Sequence, residues 1–270
     1  MTGIVVHPTA VVHAKAELSN GVQVGPFAVI EERVRIGADC TIGPHVVILG
    51  QTQMGAGNRF HAGCVIGDAP QDLKYQGTAT ALSIGDGNIF REHSTVHRSN
   101  HPDDPTVIGS NNFFMAHSHV GHNSRLGDRI ILANGALLGG HVVVEDAAFI
   151  SGNCAIHQFS RVGTLSIMQG GARLSKDLPP YCALFGVNRL CGLNTVGLRR
   201  AGIGAEQRRE LKNLYRQLLR GGVNLRLALQ ELAQEAKGTE ARHLLEFIAS
   251  SKRGVCVDSG RAASGGETDD

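Results

Sequence analysis

From Ile108 to Leu174 an aliphatic, Met or Phe side chain stands at every sixth position without a slip. The same phase begins at Val6, runs to Ile66, and returns at Ile84, Phe90 and Val96, lapsing only at Asp72, Thr78 and Pro102. Of the 29 multiples of six up to position 174, 26 are apolar, a density that a chain of 42% hydrophobic composition does not reach by chance. Neither the 3.6-residue period of a helix nor the two-residue alternation of a strand produces this spacing. Short strands joined by tight corners do. In such a fold the sixth residue, or rung, points inward. Gly often follows it (Gly25, Gly37, Gly121, Gly139) and is expected to serve the corner's backbone angles, while a small residue four places on (Ala28, Cys40, Thr52) leaves room inside. Three hexads make a coil of eighteen residues, and successive coils stack at the ~4.8 Å strand spacing. The expected fold is mainly β, a parallel β-helix over residues 1–185.

Phase survives both lapses, so the intervening chain is expected to leave the coil as loops near residues 68–83 and 97–106. Insertions in solenoids collect at functional faces. Beyond Leu174 the hexads stop, Pro179 and Pro180 mark an exit, and helical spacing takes over at Leu211, Leu214, Tyr215, Leu218 and Leu219, then at Leu225, Leu229 and Leu232, then at Ala241, Leu244, Leu245 and Ile248. A small α-helical domain is expected over residues 186–253, capping the solenoid, followed by a Gly/Ser/Asp-rich tail, 254–270, that reads as disordered.

A net charge of +2 without a long basic run argues against nucleic acid as a partner. No apolar run reaches the ~18 residues of a membrane span, and the opening MTGIVVHPTA lacks the pattern of a signal peptide, so a cytoplasmic location is expected. The six cysteines form no C-x-x-C pair and read as reduced thiols; Cys40, Cys64 and Cys154 each fall four after a rung, where a small buried side chain fits. Thirteen histidines occur without an H-E-x-x-H motif, and neither a metal nor a cofactor is expected.

On an eighteen-residue coil, residues whose numbers leave the same remainder on division by eighteen stack in one column. His122, His141 and His157 leave 14, 15 and 13, and Gln158 and Asp68 leave 14, so a ladder of imidazoles is expected along one corner. Solvated corner histidines are the plainer alternative. Asp72 and His97 fall outside that column by the same arithmetic, which favours a site assembled between two copies of the chain.

The runs QDLKY (Gln71 to Tyr75), HR (His97, Arg98), AHSHVGHNSRLGDRIILAN (Ala116 to Asn134), GGHVVVED (Gly139 to Asp146), AIHQF (Ala155 to Phe159), DLPPY (Asp177 to Tyr181) and NTVGLRRAG (Asn194 to Gly202) together resemble the UDP-N-acetylglucosamine 3-O-acyltransferases that open lipid A biosynthesis. The resemblance spans nearly the whole chain apart from the tail. It implies a left-handed coil, a homotrimer with sites between subunits, acyl carrier protein as donor, and direct transfer of a 3-hydroxyacyl group to the 3-hydroxyl of UDP-N-acetylglucosamine. By the same resemblance His122 is the general base, Gly140 offers its backbone amide to the thioester oxygen, and Asn123 orients the base. Gln71, Asp72, Lys74, His97, His119, His141, His157 and Gln158 match contacts to sugar, phosphate or acyl chain; Asn194 and Arg200 match contacts to the nucleotide; Gly170 stands at the acyl-chain ruler. The carrier protein is acidic, so Arg161, Arg173 and Arg199 are candidate docking residues.

Three positions depart from the family pattern. Asn123 stands where the family carries Asp beside the base, and Val196 and Ala201 stand where it often carries Glu and Arg. An amide stabilises imidazolium less than a carboxylate does, so either slower chemistry or a carboxylate from elsewhere is expected. Two other readings stay open: an N-acyltransferase on an amino-sugar nucleotide, which in its paralogous form carries an extra N-terminal domain, and a hexapeptide scaffold that binds without catalysing.

Overall fold

The computed structural model describes residues 3–220 and 225–258. Each coil contributes one short strand, most often of two residues, to each of three sheets in which the coil strands run parallel, so every third strand pairs, and the sheets reach 11, 9 and 8 strands. The rungs stack eighteen residues apart, Leu126 on Val144, Leu132 on Ile150 and Leu138 on Ile156. The architecture is the expected left-handed parallel β-helix, closed by a small helical part. In a two-residue strand one side chain must face in and one out, and the rungs take the inside: every one from Val24 to Leu174 is 4% exposed or less. Phe60, Phe90 and Phe114 stack along the core at centroid distances of 4.7 and 4.5 Å. Cys40, Cys64 and Cys154 are buried free thiols, and burial pushes the Cys64 thiol up to about 11.

The glycine that follows a rung does a different job from the one expected. A Cβ on Gly37 would lie 2.4 Å from the carbonyl carbon of Gly55, and one on Gly121 would lie 2.7 Å from that of Gly139. These positions are glycine because stacked backbones touch there. The left-handed corner residue falls three after the rung instead, as at Gly135 (φ 67°), His117 (φ 59°), Asn123 (φ 58°) and His141 (φ 57°). That conformation costs about 1–2 kcal/mol for a residue with a Cβ, and Asn and His are among the types that enter it most readily.

Both lapses are loops, and they change the column arithmetic. Ile66 pairs with Val96, thirty residues on, and Val96 pairs with Val120, twenty-four on, so the loops add twelve and six residues to a plain coil. Residues between them are therefore displaced from their nominal remainder. His97 pairs with Asp68 and its ring meets that of His119 edge-on at 4.9 Å, which places it beside the histidine column of its own chain rather than far from it. The arithmetic thus lends no weight to a site assembled between copies.

After the last coil, strand Cys182–Phe185 joins a sheet in parallel and Arg189–Leu193 returns antiparallel to it. Four α-helices follow: α1 Thr195–Arg200, α2 Ala205–Leu214, α3 Leu225–Glu235 and α4 Thr239–Ala249. The helical spacing read through Leu219 is not all α, because α2 runs into a π-helical turn at Tyr215–Leu219. Leu211, Leu214, Tyr215, Leu218 and Leu219 nonetheless face inward. Residues 254–258 overturn the expectation of a disordered tail. Val255 and Val257 bridge to Asp177 and Arg189, and Cys256 is fully buried. The remainder of that tail, 259–270, lies outside the described residues.

Helix α4 is fastened to the coil by His243, whose Nε2 lies 3.1 Å from Glu145, and by Arg161, which donates to the buried Asp177 carboxylate at 2.9 Å and to the Phe247 carbonyl at 2.8 Å. Arg161 is thus committed to an internal ion pair and is withdrawn as a docking residue. Among the described residues no helix is long and apolar enough to cross a membrane.

Candidate active site

An open groove of about 440 Å³ is lined by Gln71, His97, His119, His122, Gly140, His157 and Gln158, with Leu137 and Ala155 forming its apolar floor. A larger concavity of about 720 Å³ lies along another sheet, against Arg129, Glu145, Thr164 and Ala201. It holds no histidine, so chemistry rather than size selects the smaller groove. Three corners of consecutive coils bring the imidazoles together as expected: His122 and His141 meet edge-on at 5.2 Å, His141 stacks on Phe159 at 4.5 Å, and His157 follows one coil on.

His122 is the ring with a defined partner on one side and the groove on the other. Its Nδ1 lies 2.8 Å from Oδ1 of Asn123. Gly140 sits so close to the opposite edge that a Cβ there would lie 2.7 Å from both Cε1 and Nε2. Among the described residues the Gly140 amide finds no protein acceptor. The groove therefore presents a ring nitrogen and a backbone N–H side by side.

Burial lowers the pKa of three histidines around His122, namely His97, His119 and His141. Burial, with the charges of His97 and His122, pushes His119 down to about 4, and its Nδ1 shares a 2.8 Å hydrogen bond with Thr95. Burial also lowers His97, and it lowers His141 with help from the charge of His122. His97 is 7% exposed, and among the described residues its Nδ1 has no hydrogen-bond partner, an uncommon state for a buried ring nitrogen.

The two loops meet over this corner. Asp72 accepts from the Lys74 amide at 2.9 Å and from Asn100 Nδ2 at 2.7 Å, and these bonds lower its carboxyl below the usual range. The Asn100 amide in turn donates to Asn123 Oδ1 at 3.0 Å, and Thr106 accepts from the Asn123 amide at 2.8 Å. Asn123 Nδ2 donates to Asp104, to its carbonyl oxygen at 2.8 Å and its carboxylate at 3.0 Å, while Arg125 holds the other carboxylate oxygen at 2.6 Å. Desolvation pushes the Asp104 carboxyl up, but the hydrogen bonds from Arg125 and Asn123 outweigh it and hold the group below its ordinary value.

Sequence reading missed Asn100, Asp104 and Arg125. The lapse in phase marked the loop that carries Asn100 and Asp104, but no column rule gives the position of a residue that has left the coil; Arg125 stays on the coil, in the strand Arg125–Leu126, and its role depends on that loop. Of the residues singled out beforehand, Lys74 is exposed beside Asp72, and three lie away from the groove within one chain. Asn194 caps α1 through Gly197 and donates to the Leu165 carbonyl, Arg200 is exposed at the end of that helix, and Gly170 is exposed at a different corner, where a Cβ would meet only the Gly152 oxygen at 3.7 Å.

The second domain of UDP-N-acetylglucosamine O-acyltransferase matches residues 177–256, and the bacterial transferase hexapeptide repeat matches 15–50, 33–68 and 105–140. An acyl-[acyl-carrier-protein]–UDP-N-acetylglucosamine O-acyltransferase of Janthinobacterium sp. (strain Marseille) is 45% identical over 259 residues, covering 93% of this chain and 98% of that one. The corresponding protein of Gloeothece citriformis is 44% identical over 198 residues, 73% of this chain and 72% of its own. Among solved structures, the Francisella novicida UDP-N-acetylglucosamine acyltransferase superposes with a TM-score of 0.89 at 36% identity, covering 94% of each chain. Coil, helical part and histidine groove all lie inside these matches, and the chain belongs to the UDP-N-acetylglucosamine O-acyltransferase family.

Proposed function

We propose that this protein transfers a 3-hydroxyacyl group from acyl carrier protein to the 3-hydroxyl of UDP-N-acetylglucosamine, the opening step of lipid A synthesis. The observation that carries the reading is the 2.8 Å contact between His122 Nδ1 and Asn123 Oδ1, because an amide oxygen only accepts and so the proton belongs on Nδ1. Nε2 is then free to take the proton of the sugar hydroxyl as its oxygen attacks the thioester carbon. A base of this kind contributes about 10² to 10⁴ in rate. The Gly140 amide faces the carbonyl oxygen as it becomes negative. When the intermediate collapses, the C–S bond breaks and the proton on His122 passes to the departing thiolate, so no covalent enzyme intermediate and no cofactor is needed.

Gln71, Asp72, His97, His119, His141, His157 and Gln158 bind the substrates around this centre, with the unpaired Nδ1 of His97 supplying a ligand contact. Lys74 beside Asp72 adds a positive charge for phosphate. Gly170, Asn194 and Arg200 are assigned to the acyl and nucleotide ends of a site completed by a neighbouring copy in a cytoplasmic homotrimer; their distance from the groove in one chain supports this assembly, and a monomer by sedimentation would refute it. Incubation with 3-hydroxyacyl carrier protein and UDP-N-acetylglucosamine tests the reaction. Acyl transfer by the wild type and its loss in His122→Ala is the expected result, whereas an unimpaired variant refutes His122 as the base.

A further inference from the structure

We propose that Asp104 is a positioning residue for the acyl transfer, acting through the side-chain amide of Asn123 to supply the negative charge that the residue beside the base lacks. The inference rests on His122 being the general base. Asn123 is 3% exposed, and its neighbours dictate which way its amide points. The Asn100 backbone N–H can only donate, so the atom it meets at 3.0 Å is Oδ1. The two Asp104 oxygens at 2.8 and 3.0 Å can only accept, so the atom facing them is Nδ2. Flipping the amide would oppose two donors on one side and three oxygens on the other. The chain of polarity therefore runs one way, from the His122 Nδ1–H to the amide oxygen and from the amide N–H to the carboxylate.

During transfer the proton leaves the acceptor hydroxyl for His122 Nε2, the C–O bond forms, the C–S bond breaks, and the proton goes on to sulfur. Asp104 stays ionised throughout. Its charge faces the transient imidazolium through a buried, polarised amide, a weaker form of the carboxylate–histidine pair. The other titratable groups facing His122 are His97, His119, His141 and Asp72, while Arg125 and His141 face Asp104.

Replacing a carboxylate bonded directly to a catalytic imidazole costs about 10⁴ when the tautomer is lost. Here Asn123 preserves the tautomer, so Asp104→Asn is expected to lower kcat about tenfold, leave KM for the sugar nucleotide within about twofold, and move the acid limb of the kcat/KM profile about half a pH unit lower, as loss of a screened charge requires. Asn123→Asp alone sets two carboxylates against each other and is expected to impair the enzyme. Combining it with Asp104→Asn re-creates the pair in reverse order and is expected to restore kcat and the acid limb. Ring ¹⁵N spectra of the resting protein supply a readout independent of turnover: His122 is expected to be Nδ1-protonated, with a titration that moves down in Asp104→Asn. A protein that transfers no acyl group refutes the general-base reading, and the ring titration still decides the relay. An unmoved titration, or no rescue in the double variant, overturns the role of Asp104.

Discussion

Gly140→Ala separates the demands of the fold from those of the chemistry at one atom. Gly140 is outside the left-handed region, so its backbone accepts alanine without strain, and the smaller entropy of the unfolded chain stabilises the variant by about 0.4–1 kcal/mol. The new methyl, however, would lie 2.7 Å from Cε1 and Nε2 of His122, against a comfortable contact of about 3.5 Å. The ring must retreat by about 0.8 Å while its other edge is held at 2.8 Å by Asn123. Displacement of a reacting group by about 1 Å costs on the order of 10² in rate. Steady-state kinetics should show kcat reduced about 10²-fold, with the thermal midpoint unchanged or slightly raised. A kcat within threefold of wild type would refute the claim that His122 is the reacting group at this contact. A lowered midpoint would show that displacing the His122 ring costs more than the entropy of the unfolded chain returns.

Phe90→Ala removes the middle ring of the Phe60–Phe90–Phe114 stack, which is fully buried, and should cost about 3–5 kcal/mol in urea unfolding. Asp177→Ala strands Arg161 and removes the acceptor of Ser251 and of the Arg161 amide; a loss of about 3–5 kcal/mol is expected in the same assay, and an unchanged midpoint would show that α4 docks without this pair. His119 binds a proton near pH 6.5 when unfolded but only at about 4 when folded, so its contribution to stability is present above 6.5 and lost as pH falls toward 4. His119→Gln should flatten the fall in thermal midpoint across that window. His243 runs the other way: its hydrogen bond to Glu145 raises its pKa, so the contribution of this pair is present below about 6.5 and declines as pH rises through the folded value, a trend that His243→Ala should abolish.

The coil was legible because a repeat of six converts residue number into position. The rungs, the buried cysteines and the His122–His141–His157 corner follow from it without reference to contacts. The same rule failed at His97, because a loop of twelve extra residues shifts everything after it until the next loop restores the count, and it was silent about Asp104 for the same reason. The glycine that follows a rung was misread as a corner residue because sequence shows a glycine's permissiveness but not which neighbour it must avoid; the close approach of Gly55 to Gly37 is a property of two stacked coils. The tail misled in another way. Its composition is that of a disordered segment, yet residues 254–258 are paired and partly buried, since bridges to Asp177 and Arg189 outweigh local preference.

Sequence alone determined the β-helix, the two loops and the helical end, all of which depend on periodic burial. Tertiary structure decided what stands behind the ring of His122. Asn123 has no neighbouring carboxylate along the chain, and only the fold of the second loop carries Asp104 back across one coil to the far side of its amide.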